Sequence, residues 1–383
     1  MAIIASRVIL KHFYQFLCYS IDKRRPVPES IEQMDWEQLF AFCEKQALLG
    51  IGYKGIERLS SEGIRLPKMV VFTWYAAYEQ IAARNKELNA EAVEVWQEYE
   101  EDGFECCLLK GQGNAAMYPD PLSRTPGDVD IYVRLKTENG KGGIGSKRKA
   151  ISEYVRERHE ITGIRYHHIE YELGIANPQQ PIAVEVHFTP STMNNPLFNH
   201  RLHKWFQKEW KTTKISLPLA PSEERGSQQM VNVPTVETNV VYQLAHMMHH
   251  FFDEGIGLRQ VMDYYFLLVN SEKGKVNSYD YLLRHLGLRK FAGAVMWIEH
   301  EVFGLEEQYF IVPADEWRGR TLLDEILQGG NFGQHSGLTQ HRMGVKYFLK
   351  IRRNLGFVIQ YPSEALFEPF FRTWHFFWRI TQR

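Results

Sequence analysis

The hydrophobic period changes twice along this chain, and that change limits the fold more than any other feature. Up to residue 103, apolar residues recur at helical spacing over 3–20, 35–60 and 68–101, with breaks at Pro26, Pro28 and Pro67. From residue 104 the pattern shortens. FECCLL is a run of strand length, DVDIYV alternates, and HHIEYEL (167–173) and IAVEVHF (182–188) read as two more strands, joined by a turn around Asn177 and Pro178. KGQGNAAMY reads as a turn entering a short helix, and 150–160 as a further helix. Helix returns from about residue 233, where Thr235 can cap TVETNVVYQLAHMMHHFF. The expectation is an α+β fold: a core with a mixed β-sheet over 104–220, a helical segment 1–103 before it and a helical domain 221–383 after it.

Charge and cysteine content narrow the function classes. Lys and Arg number 45 against 46 Asp and Glu, so there is no basic excess of the kind that grips duplex nucleic acid, and none is expected as a partner. Cys18, Cys43, Cys106 and Cys107 are too few for a disulfide scaffold and include no CxxC pair for structural zinc, which points to a reducing cytoplasm. MAIIASRVILKHFYQF is interrupted by Arg7, Lys11 and His12 and reads as an amphipathic helix, not a leader. No apolar run is long enough for a membrane span. The aromatic stripe Phe367, Phe370, Phe371, Trp374, Phe377 and Trp378 is expected to pack on the helical domain, since Arg372 and Arg379 are too few for a membrane face.

Asp128 and Asp130 stand two apart in a predicted strand, so both leave the same face while Val129, Ile131 and Val133 bury the other. Glu185 alternates in the same way with Val184 and Val186. If the two strands are neighbours, three carboxylates converge. Carboxylates so crowded repel unless a cation sits among them, and a hard divalent ion suits their oxygens. Spacing alone leaves open a turn Asp-x-Asp and a solvated Glu.

LLKGQGNAAMYPDPLSRTPGDVDIYV (108–133) followed by AVEVHF (183–188) resembles the polymerase-β-like nucleotidyltransferase superfamily, and within it a bacterial family of uncharacterised nucleotidyltransferases. In that superfamily a Gly-containing strand-to-helix turn, often Gly-Ser, precedes a D-x-D strand. Here the turn is Lys110-Gly111-Gln112-Gly113. The resemblance implies a nucleotidyltransferase-type sheet and an enzyme that moves a nucleoside monophosphate from an NTP to an acceptor hydroxyl or phosphate. The acceptor is a small molecule, a protein or an RNA end. Asp128, Asp130 and Glu185 would be catalytic and would bind Mg²⁺ or Mn²⁺, with Glu185 helping to deprotonate the acceptor. Gly111 and Gly113 would let backbone N–H groups approach the triphosphate, with Lys110 and Arg124 as phosphate contacts. The alternative is a catalytically silent nucleotide-binding or regulatory protein on the same fold.

His246, His249 and His250 share one predicted helix, and His246 and His250 are four apart. They are read as a polar stripe at a domain junction, or, for one or two of them, as lining an acceptor cleft with Asp263. Asp263 has Arg259 as its expected partner. The segment 137–149, with Lys141, Lys147, Arg148 and Lys149, reads as a solvated loop or a lid over phosphate.

Overall fold

The computed structural model describes residues 7–136, 144–174, 181–218, 230–271, 279–334 and 343–382. The expected turn at Asn177 and Pro178, and Lys141, lie outside them. Four helices come first: α1 (Arg7–Ile21), α2 (Trp36–Lys45), α3 (Leu49–Ser61) and α4 (Lys68–Glu101). The stretch expected as one helix over 35–60 is two, because Ala47 takes a left-handed φ of 56° between them.

The middle of the chain carries β1 (Phe104–Leu109), α5 (Gly111–Ala115), β2 (Val129–Leu135), α6 (Ile144–Arg158), β3 (Ile161–Ile164), β4 (His168–Leu173), β5 (Ile182–His187), α7 (Pro196–Glu209), β6 (Thr212–Ser216) and β7 (Met230–Pro234). Residues 144–149, expected in a loop, open α6. Strands β3, β6 and β7 and helix α7 have no counterpart in the sequence reading; TTKIS, for one, holds a single apolar residue and offers no alternation to read. The last part is α8 (Val236–Asp253), α9 (Leu258–Val269), α10 (Asp280–His285), α11 (Arg289–Phe303), α12 (Glu316–Gly329), α13 (Met343–Leu355) and α14 (Pro362–Ile380).

Five strands form one mixed sheet in the order β1-β2-β5-β4-β3, and β6 pairs with β7 apart from it. Only β2 and β5 run parallel; the other neighbours in the sheet are antiparallel. Val129, Ile131, Val133, Ile169, Tyr171, Val184 and Val186 cover one face and are buried with Leu88, Ala92, Val93 and Tyr99 of α4 and Ile151 and Val155 of α6. Each such aliphatic contributes roughly 1.5–3 kcal/mol by leaving water. A slip of one residue would turn all of them outward and drive Asp130 and Glu185 into that core, so the register is strongly specified.

A second core runs from Phe13 to Ala365 and joins the N-terminal helices to α8, α9, α11 and α12. Helix α1 packs on both α3 and α11. Cys43, Cys106 and Cys107 are buried thiols and all four cysteines are free. Among the described residues, no helix is long and apolar enough to cross a membrane. The C-terminal stripe is only partly covered. Phe371, Trp374 and Trp378 turn their rings to Tyr166, whereas Phe370 and Phe377 are 72% and 61% exposed, because the stripe is wider than the surface α14 lies on.

One close approach fixes the loop that leads to the site. A Cβ on Gly50 of α3 would stand 2.1 Å from the Ser123 carbonyl oxygen, one residue before Arg124. Gly50→Ala is expected to cost about 1–3 kcal/mol through the backbone shift it forces. Urea unfolding checks this; a change under ~0.5 kcal/mol would mean that the loop gives way freely.

Candidate active site

The opposite face of the sheet presents its polar side chains in two cross-strand rows. Asp130 of β2 is in register with Glu185 of β5, and Glu185 with Glu170 of β4. One step along, Tyr132 is opposite His187, and His187 opposite His168. The rows arise because polar residues two apart recur on the three strands: Asp130 with Tyr132, Glu185 with His187, and His168 with Glu170. Asp128 lies just before β2, half-buried.

His187 Nε2 is 2.8 Å from Asp130 Oδ1 and 3.2 Å from Glu185 Oε2. His168 Nε2 is 2.6 Å from Glu170 Oε1, and its Nδ1 is 3.5 Å from Glu185 Oε2. Asp130, Glu185 and His187 each offer a ligand atom within 4.8 Å of the other two. Lys110 ends β1 and enters α5 with φ 46° and ψ −124°, a conformation that costs a non-glycine residue about 1–3 kcal/mol. It puts Nζ 2.6 Å from Asp130 Oδ1 and 3.8 Å from Glu185 Oε2.

The electrostatics follow from this crowding. Burial, then the charges of Asp130 and Glu185, push the Asp128 carboxyl up to about 7. Burial also opposes the charge on Glu185, but His168, Lys110 and His187 outweigh it and hold that carboxyl well below the usual range. A carboxylate so firmly ionised is a good cation ligand and a poor base. Burial lowers His187, yet its bonds to Asp130 and Glu185 win and its affinity for the proton rises.

Two clefts flank the rows. The first, about 480 Å³ of open space, is lined by Lys110, Gly111, Asp128, Asp130, His246 and Arg259 among others. The second, about 710 Å³, is lined by Glu185, Glu170, His167, His168, His249 and His250 and reaches Arg372 of α14. The three histidines of α8 thus divide: His246 is buried beside the Lys110 cleft, and His249 and His250 line the other. Burial pushes His246 and His250 well below the ordinary histidine value and His249 to about 4, so all three are neutral at pH 7.

Three placements differ from the sequence expectations. Arg124 is buried and its fork closes on Asp263, Nε to Oδ1 and Nη2 to Oδ2, both 2.8 Å, so its donors are spent within the protein. Asp263 does not pair with Arg259 and does not reach the acceptor side; it also accepts from Tyr118 Oη at 2.6 Å and Asn114 Nδ2 at 3.3 Å, as the centre of a buried network. Gly113 does not line the cleft. A Cβ there would meet Val233 of β7 at 3.1 Å, so its small size serves packing. Arg124 and Arg259 both line the cleft, but they are bonded differently. Nη1 of Arg259 donates to the carbonyls of Thr125 and Pro126, while its Nε has no partner among the described residues. Nothing in the spacing separates the two arginines. Glu170, His168 and His187 were also missed as neighbours of the carboxylates, although H-x-E and E-x-H spacing in two strands was a usable signal.

The chain is thus an α+β protein with carboxylate and imidazole rows on one face of a mixed sheet. Residues 32–304, well over half of its length, match the family described as uncharacterised nucleotidyltransferase, and the chain belongs to that family. Family membership supports a nucleotidyl-transfer role and a nucleotide substrate. Among solved structures it is similar to the crystal structure of an antigenic nucleotidyltransferase-like protein from Paracoccidioides brasiliensis, with 12% identity and a TM-score of 0.38 over 61% of this chain and 97% of that one. A search of curated proteins gives no match.

Proposed function

We propose that this protein is a metal-dependent nucleotidyltransferase of the polymerase-β-like type, moving a nucleoside monophosphate from an NTP to an acceptor hydroxyl or phosphate. One observation carries the reading: Asp130 and Glu185 are in register on parallel strands, beside Asp128 and the Lys110 turn. The donor set fits a hard divalent cation. Its oxygens crowd together, the Asp128 proton is retained to about 7, and the Lys110 ammonium lies where positive charge is needed. Asp128, Asp130 and Glu185 would hold Mg²⁺ or Mn²⁺, which when bound neutralises phosphate charge and activates the acceptor oxygen.

The other residues take roles from their positions. Gly111 leaves room at the turn for the triphosphate, and Lys110 and Arg259 offer positive charge to it. The acceptor enters from the second cleft, where the neutral imidazoles of His249 and His250 can orient its hydroxyl by accepting a hydrogen bond, its proton leaving to water. Its oxygen bonds to the α-phosphorus as the bond to pyrophosphate breaks. Calorimetry with each NTP, with and without Mg²⁺, tests the reading. Micromolar binding that requires the metal is expected; equal binding without it would end the proposal.

Two variants sharpen that test. Arg259→Ala is expected to weaken NTP binding by about 10–100-fold, the worth of charge-assisted hydrogen bonds. Unchanged affinity would return Arg259 to supporting the Thr125–Pro126 loop. Asp128→Asn should lose the Mg²⁺-dependent part of NTP binding. Its pH behaviour follows from the raised carboxyl: the metal-free fold holds the proton that the unfolded chain gives up near 3.8, so stability falls as pH rises towards about 7. The asparagine variant should therefore equal or exceed the wild type in metal-free melting temperature above pH 7, and lack that slope. For the same reason, wild-type Mg²⁺ affinity should drop as pH falls below about 7.

The Lys110–Asp130 ion pair also favours a second reading, a silent nucleotide-binding protein whose own ammonium replaces the metal. NTP binding independent of Mg²⁺, without release of pyrophosphate, would select it.

A further inference from the structure

The carboxylate row accounts for Asp130, Glu185 and the Lys110 charge between them, but not for the imidazoles alongside. His167, His168 and His187 each place one ring nitrogen within 4.8 Å of the other two. Their ring centroids are 4.3 Å (His167–His168), 5.6 Å (His167–His187) and 5.1 Å (His168–His187) apart. All three are buried, His187 completely. The sheet enforces the cluster, since His168 and His187 are register partners across β4 and β5 and His167 immediately precedes β4.

Carboxylates hold two of the rings. Nε2 of His168 faces Glu170 Oε1 at 2.6 Å, and Nε2 of His187 faces Asp130 Oδ1 at 2.8 Å. Nδ1 of His168 and of His187 is buried and has no hydrogen-bond partner among the described residues. A carboxylate bonded to a ring nitrogen is what commonly orients a metal-bound histidine, and Nδ1 of His168 also stands 3.5 Å from Glu185 Oε2. A set of imidazole nitrogens does not suit Mg²⁺ or Ca²⁺, which want oxygen, but it suits Zn²⁺ and its neighbours, for which three histidines with one open position is a known donor set. His167 and His168 line the second cleft, so an ion there has an approach from solvent.

We propose that His167, His168 and His187 bind one borderline transition-metal dication, Zn²⁺ by its chemistry, at a nitrogen site that adjoins the oxygen ligands Asp130 and Glu185. The site does not depend on the nucleotidyl-transfer reading. It adds to the chain a metal of a different class from the one that accompanies an NTP.

Cobalt is the probe, because Co²⁺ takes the place of Zn²⁺ and reports its ligands in the visible spectrum. The full chain, freed of metal with a chelator, is titrated with Co²⁺, and Zn²⁺ or Mg²⁺ is then added in competition. The expected result is one Co²⁺ per chain with an intense band of low-coordinate, nitrogen-ligated cobalt, displaced by Zn²⁺ and retained in excess Mg²⁺. His167→Gln and His168→Gln should each weaken binding by at least ~10-fold, in line with the loss of metal-site groups. Asp128→Asn should leave it unchanged. Should His168→Gln fail to fold, His167→Gln and the wild-type spectrum decide the matter. A faint octahedral oxygen-type spectrum, displacement by Mg²⁺, or full affinity in a folded His167→Gln would overturn the proposal. Mg-NTP calorimetry on the same samples separates the two ideas: absent NTP binding with cobalt retained sinks the nucleotide reading alone.

Discussion

Asp130→Asn is expected to lower nucleotidyl transfer by about 10³-fold or more while the protein stays folded. The residue is in register with Glu185, 2.6 Å from Lys110 Nζ and 2.8 Å from His187 Nε2, so every charge in the row is set against it. Losing a metal ligand of this kind removes several kcal/mol of transition-state stabilisation, and each 1.36 kcal/mol is about tenfold in rate. The asparagine keeps the shape, and its neutral amide still bonds Lys110 or His187. The measurement uses NTP labelled at the α-phosphate, with transfer into a lysate pool of acceptors, and Mg-NTP calorimetry on the same preparations. Transfer within ~3-fold of the wild type would remove Asp130 from the metal site.

Asp263→Ala should have the largest effect on stability, about 3–5 kcal/mol, because it leaves the Arg124 guanidinium buried and unpaired. Two 2.8 Å bonds from that arginine, one from Tyr118 and one from Asn114 all end on this carboxylate. Asn114 in turn accepts from Asn239 and Gln243, which ties α5 to α8 as well as to α9. The network therefore holds the Lys110 turn against the helices. Asp263→Asn, which can still accept from Tyr118, should lose less. Urea midpoints at unchanged slope give the comparison. A loss below ~1 kcal/mol for the alanine variant would show that Arg124 finds another partner, and would reopen its role as a phosphate contact.

These two residues show where sequence reading stops. Asp130 could be singled out from D-x-D in an alternating strand, since alternation states which face a side chain leaves. Asp263 and Arg124 could not be paired, because they are 139 positions apart and belong to different elements. An arginine and an aspartate four apart on one helix, Arg259 and Asp263, offered a local pairing that the tertiary structure does not use. Arg124 reaches Asp263 first and leaves Arg259 for the carbonyls of Thr125 and Pro126. Two residues that look alike in the sequence thus take different partners. Gly113 shows the same limit: its small size could mean phosphate or packing, and only the position of Val233 of β7 decides.

The histidines make the complementary point. His246, His249 and His250 lie within five residues of each other, yet α8 sends His246 to one cleft and the other two to the next, since positions three and four apart do not point in quite the same direction on a helix. His168 and His187 are distant in sequence, yet strand register makes them neighbours. What the sequence by itself determined was the order of helix and strand through most of the chain, the buried face of β2 and β5, and the three acids most exposed to a functional reading. Those follow from hydrophobic period, which is local. The tertiary structure alone decided that β2 and β5 are parallel neighbours, that Glu170 and two histidines join their rows, and which arginine keeps an unpartnered nitrogen beside the cleft. Each of these depends on which strands hydrogen-bond and which helices cover them, and such choices are made by burial of residues far apart in the chain.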